Sequence, residues 1–119
     1  MKIFHIVDKN DWADAKKSGK YEPDSLLDQS DKGGFIHCSH TQQILEVANK
    51  FYVGQKNLII LRINVEKVKA EIKDEVPYEA PWSTVLYPHI YGPLNIDAVE
   101  AEIAFPPNSD GTFELPKLF

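Results

Sequence analysis

The segment Leu58-Ile59-Ile60-Leu61-Arg62-Ile63-Asn64-Val65 is apolar except at Arg62 and Asn64. A run of that length and composition reads as a central β-strand whose far end reaches solvent. Two other stretches are strand-like. Ile3 to Val7 is rich in β-branched residues, with His5 as its one polar insertion. In the second, Val99, Ala101, Ile103 and Phe105 alternate with Glu100, Glu102 and Ala104, the period-two pattern of a half-buried strand. Pro106-Pro107 ends that strand, Asn108 to Gly111 has the composition of a turn, and Thr112 to Phe119 is expected to fold back along the surface. Val68, Ala70 and Ile72 alternate with lysines and Glu71, which predicts a half-exposed strand.

Helices fall between these strands. Asn10 is placed to cap a helix over Asp11 to Ser18, with Trp12 and Ala15 on one face and Gly19 as its stop. Lys20 to Lys32 is mostly polar and reads as a surface loop, pinned by Leu26-Leu27. Gly33-Gly34 then launches a short strand, Phe35 to Ser39. Ser39 and Gln42 have the spacing of a capping box, and the helix behind them carries Ile44, Leu45, Val47, Ala48, Phe51 and Tyr52 on one side before Gly54. Four prolines, Pro77, Pro81, Pro88 and Pro93, keep regular structure short in the next stretch. Trp82 to Tyr87 is expected to form a strand there, and Tyr87 to Pro93 a rigid aromatic turn.

A chain of 119 residues, 43% of them apolar, supports one hydrophobic core, so residues 1–119 are read as a single α+β domain. No run reaches the roughly 18 apolar residues of a membrane span. The first strand meets Asp8 without a cleavage site, so no signal peptide is expected. Cys38 is the only cysteine, which excludes an internal disulfide and fits a reducing cytoplasm. The net charge of -5 disfavours nonspecific binding to nucleic acid. Arg62 is the only arginine, so bidentate clamping of phosphate is available at one place at most.

The chain has no glycine-rich nucleotide turn, no phosphate loop, no His-Glu-x-x-His and no Gly-x-Ser-x-Gly. Its histidines are what remain for chemistry. His37 and Ser39 lie two apart on one strand and project from the same face, with His40 following at the helix entrance. His89 and Tyr91 stand in the proline-flanked aromatic segment. His5 sits mid-strand, where the ordinary role is a hydrogen-bonded core residue. Imidazoles serve as acid, base, donor or acceptor near neutral pH, so His37, His89 and His5 are the candidate catalytic residues if they converge. Tyr52, Tyr91 and Trp82 offer faces for a flat ligand, although packing is their commoner use. Cys38 points away from His37 on a regular strand and reads as core. No metal is expected, because no histidine pair has helical i, i+4 spacing and no carboxylate accompanies the histidines in the sequence.

Ile3-Phe4-His5, Asp11-Trp12-Ala13 to Gly19-Lys20-Tyr21, Gly34-Phe35-Ile36-His37-Cys38-Ser39 and Tyr87-Pro88-His89-Ile90-Tyr91-Gly92-Pro93-Leu94 together resemble the family called domain of unknown function 952. That family looks like a miniature of the ADP-ribosyltransferase fold. The resemblance implies a split sheet with two main helices, one after each of the first two strands, around an NAD-binding cleft. His5 would occupy the position of the first transferase histidine, where Ile6 and Val7 stand in place of the usual Gly and Ser/Thr. The His37 to Ser39 strand is also similar to the His-Ile/Val-His-Leu-Ser strand of RNA 2′-phosphotransferases. The resemblance therefore implies an NAD-type nucleotide held by His5, His37, Ser39, Tyr52 and Tyr91, with ADP-ribosyl or phosphoryl transfer as the activity. Glu100 and Glu102 are the candidates for a late-strand glutamate. Two alternatives stay open: a non-catalytic ligand-binding or protein-interaction domain, and a metal-assisted hydrolase.

Overall fold

A computed structural model describes residues 1–27, 34–77 and 82–117. Strand β1 (Lys2–Asp8) runs directly into helix α1 (Lys9–Ser18), followed by β2 (Lys20–Tyr21) and the single turn α2 (Asp24–Leu27). Then come β3 (Ile36–His37), helix α3 (Ile44–Phe51), β4 (Leu58–Asn64), β5 (Glu71–Glu75), β6 (Tyr87–Tyr91), β7 (Leu94–Asn95) and β8 (Val99–Ala104). The strands form two antiparallel three-stranded sheets, β1-β4-β8 and β3-β6-β5, and a short β2-β7 ladder. The larger sheets meet where Phe4 and Ser39 exchange backbone hydrogen bonds of 2.9 and 2.8 Å. No helix among the described residues is long and apolar enough to cross a membrane.

Strand β4 is central in its sheet, and its alternating side chains feed two cores. Ile59, Leu61 and Ile63 join Ile3, Val7, Trp12, Ile36 and Ile90 in one, while Leu58 and Ile60 join Phe4, Ile6, Ile44, Ala48 and Phe105 in the other. Burial on both faces is why the run is almost continuously apolar, each such side chain contributing about 2 kcal/mol. Arg62 and Lys2 lie at the sheet's solvent end, both paired to Glu100 at 3.1 and 2.8 Å.

Both helix caps differ from the sequence expectation. Asp8, not Asn10, caps α1, its carboxylate accepting from the Asn10 N–H at 2.8 Å, so the helix starts at Lys9. The strand-to-helix junction has no loop, and Asp8 is the last residue in extended conformation. Before α3, the Gln43 side chain accepts from the His40 N–H at 2.9 Å, one residue beyond the expected Ser39–Gln42 box. Ser39 cannot serve as cap because its backbone is committed to Phe4.

The stop of α1 is as expected. Gly19 has φ 93° and its N–H donates to the Ala15 carbonyl. A Cβ there meets nothing within 4 Å, so Gly19→Ala is expected to cost about 1 kcal/mol from backbone strain alone. Urea denaturation measures this directly; an unchanged midpoint would contradict the left-handed cap.

Further expectations are corrected. Tyr87 to Tyr91 is the middle strand of the second sheet, not a turn, and of Trp82 to Tyr87 only Tyr87 is in a strand. Pro88 is tolerated because a proline lacks only the donor: its carbonyl accepts from the Cys38 N–H at 3.0 Å. It has no N–H to return, which is why β3 ends at His37 instead of continuing to Ser39. The expected strand around Val68 to Lys73 begins only at Glu71, after a 3-10 turn at Val65–Lys67. Phe113 does not lie on the surface; it is buried against Phe105, ring centroids 4.7 Å apart, and its N–H donates to the Asn49 side chain. The expected loop, Lys20 to Lys32, holds β2 and α2; its residues 28–32, and Gly33 of the expected strand launch, lie outside the described residues.

Candidate functional site

The β3–β6 register sets His37 directly opposite His89. Their ring centroids are 5.3 Å apart at 77°. Alternation along the β3 segment turns His37 and Ser39 to one side and Cys38 into the first core, where burial pushes its thiol far above the usual range. On the His37 side a cleft of about 610 Å³ lies between this sheet, α3 and the Phe4–Ile6 face of β1. Ser39, His37 and His89 supply polar groups to it, Tyr52 and Tyr87 aromatic ones, and Glu46 and Lys50 of α3 opposite charges.

His89 is the most constrained of these residues. Its side chain is 4% exposed. Its ring stacks on Phe35 with centroids 4.0 Å apart at 17°. The Nδ1–H donates to Glu75 Oε1 at 2.9 Å, and the Tyr91 hydroxyl donates to the same oxygen. The Tyr91 hydrogen bond holds the Glu75 carboxyl below its ordinary range, and His89 and Lys73 act in the same direction against partial desolvation. Tyr91 is pushed up to about 12, by desolvation first and Glu75 second, so its proton stays on the phenol. The sequence reading found no carboxylate for the histidines and missed Glu75. Its only trace was that Lys73 and Glu75 alternate with Ile72 and the half-buried Val76.

His5 is placed elsewhere. Phe4 and Ile6 line the cleft, so the residue between them faces the opposite side of β1. There the His5 Nδ1–H donates to the His37 carbonyl at 2.6 Å, and the Tyr21 hydroxyl donates to Nε2 at 2.9 Å. A carbonyl can only accept, which fixes this tautomer. Burial pushes the imidazole down to about 4, although the bond to His37 opposes the shift. His5 thus touches the cleft only through the backbone of His37. Tyr91 likewise stands behind His89, linked to it by Glu75, and is not in the lining.

The structure therefore gathers His37, Ser39, His89 and Tyr52 around one cavity, and leaves His5 and Tyr91 outside its wall. Other charged candidates are engaged away from it. His40 Nε2–H donates to Asp74 at 2.7 Å. Glu100 is held by Lys2 and Arg62, and Glu102 by Lys16 at 3.1 Å. Trp82 is 79% exposed and outside the lining. Among the described residues no three His, Cys, Asp or Glu side chains are grouped to hold a metal ion.

No curated protein matches the chain. Among solved structures, the crystal structure of protein CC0527 from Caulobacter crescentus is similar, with 30% sequence identity and a TM-score of 0.80 over 97% of this chain and 95% of that one. A double mutant of the same protein gives the same values. Its solution NMR structure is 29% identical with a TM-score of 0.72, covering 99% and 96% of the two chains. The fold is thus a small mixed α/β one with antiparallel sheets and few helices. The sequence matches Protein of unknown function (DUF952) over residues 6–102, and the chain belongs to that family.

Proposed function

We propose that the cleft binds a nucleotide of NAD type, on a split sheet of ADP-ribosyltransferase-like design. The observation that carries this reading is the convergence of His37, Ser39 and His89, from two separate segments, on one cavity with Tyr52 and Tyr87. Imidazole and hydroxyl groups are suited to ribose oxygens, and the tyrosine faces to a planar base. Among the described residues Lys50 is the one Lys or Arg in the lining, so from these a diphosphate would have a single cationic partner. The residues therefore fit the nucleoside portion of such a ligand better than its phosphates.

Calorimetric or NMR titration with NAD tests this. Binding in the submillimolar range is expected, weakened roughly tenfold by His37→Ala, the loss of about one good hydrogen bond to the ligand. No binding at millimolar NAD to the unmodified protein retires the reading.

A second reading, ligand binding without transfer chemistry, is favoured by one specific observation. Arg62, Glu100 and Glu102, the residues a transferase or phosphotransferase would need at the ligand, are tied to one another or to lysines outside the cavity. Release of free nicotinamide from NAD separates the two: steady release requires transfer or hydrolysis, and binding without release supports a purely ligand-binding domain.

A further inference from the structure

We infer that Glu75 is the positioning residue of the cleft: it holds His89 with Nδ1 protonated and Nε2 open to the cavity, so that this point of the site reads a sugar hydroxyl. The inference rests on the nucleotide reading for its ligand and on geometry for the residue. The Nδ1 side of the ring is occupied by the Glu75 carboxylate at 2.9 Å, and a carboxylate can only accept. In the neutral ring the proton is therefore on Nδ1 and the lone pair on Nε2.

Nε2 is not sealed in the protein. Among the described residues the only buried side-chain nitrogen or oxygen without a partner is Trp12 Nε1, although His89 itself is buried. Phe35 covers one face of the ring, His37 sits at right angles beside it, and the remaining opening is the cleft that His89 lines. A lone pair there accepts from a donor. With the Glu75 carboxylate directly behind the ring, and Glu46 lining the cleft from α3, a phosphate oxygen would meet negative charge at this point. A ribose hydroxyl supplies the donor and carries no charge. Tyr91 supports the arrangement by donating to the oxygen that His89 uses, which leaves that oxygen in place. This arrangement parallels the way a second carboxylate orients a working histidine in many sites, where the partner of one ring nitrogen decides what the other can do.

Two measurements on the full chain test the inference. Long-range proton–nitrogen spectra of the imidazoles at about pH 8, above the ordinary titration of histidine, report the His89 tautomer. Titrations with adenosine and with dideoxyadenosine report whether sugar hydroxyls are read. In the unmodified protein we expect the Nδ1-protonated form, and adenosine bound about tenfold more tightly than the dideoxy analogue. In Glu75→Gln the amide can donate to or accept from Nδ1, so the tautomers should mix and the preference fall to about twofold. Glu75 is 36% exposed, so the substitution is compatible with folding. Tyr91→Phe should keep the tautomer.

A ring protonated on Nε2 in the unmodified protein, or an unchanged tautomer in Glu75→Gln, overturns the assignment of Glu75. Equal affinity for the two nucleosides overturns the hydroxyl preference. The expected tautomer with no binding of either nucleoside sinks the nucleotide reading and the hydroxyl preference with it, while Glu75 stands as the residue that orients His89.

Discussion

Ile90→Ala is expected to lower the unfolding free energy by about 3 kcal/mol and the melting temperature by about 10 °C. Ile90 is fully buried in the middle strand of the second sheet, opposite Ile36 on one side and Ile72 on the other. All three side chains face the core that also holds Leu61 and Ile63 of the first sheet. Removing the side chain leaves a cavity at the contact that docks one sheet on the other, and the strands around it have little freedom to collapse. The neighbour on β6 is His89, so the variant should also loosen the His37–His89 pair and weaken any ligand of the cleft. Thermal and urea unfolding measure the first effect, and exchange broadening of the His89 resonances the second. A loss below about 1 kcal/mol would mean that the sheets are held together elsewhere, at odds with the packing.

Acidification from about pH 6.5 to about pH 4 is expected to remove up to about 3 kcal/mol of stability through His5 alone. The folded protein holds His5 neutral, with a pKa of about 4, whereas the unfolded chain titrates at the ordinary histidine value of about 6.5. Below pH 6.5 the unfolded state therefore binds a proton that the folded state refuses, and stability declines by as much as about 1.4 kcal/mol per pH unit until both are protonated. The contribution is present above 6.5 and lost as pH falls through the folded pKa. The structural cause is visible in the bonds: a protonated Nε2 can no longer accept from the Tyr21 hydroxyl, whose ring lies against that of His5 with centroids 5.3 Å apart. Urea unfolding of the unmodified protein and His5→Gln across this interval isolates the effect, since the other titrating groups are common to both. Parallel slopes would show that His5 reaches solvent when charged.

Much of the scaffold was legible because its signals are local. The alternation in Val99 to Ile103, the apolar run of β4 and the one-sided pattern of α3 each depend on residues within two turns or a few strand positions. Gly19 ended its helix for a reason contained in its own backbone. Errors came where a neighbouring element claims a group that sequence spacing had assigned elsewhere. Ser39 lost its capping role to Phe4, and β3 stops where Pro88 has no donor to return. Pro88 itself, read as a breaker, sits in a central strand because its missing donor falls at the end of β3, where its carbonyl still accepts from Cys38.

The site divides along the same line. Parity within one strand is set by the sequence, so His37 and Ser39 share a face whatever surrounds them. Which face of β1 is lined by the cleft, and therefore that His5 lies behind it with Tyr21, depends on where α3 packs. That Glu75 meets His89 depends on the antiparallel register of β5 on β6, fourteen positions apart along the chain. Side-chain periodicity determines what each element can bury; only the packing of elements that are distant in sequence decides which polar groups meet, because those contacts are paid for by the whole core and not by the residues that make them.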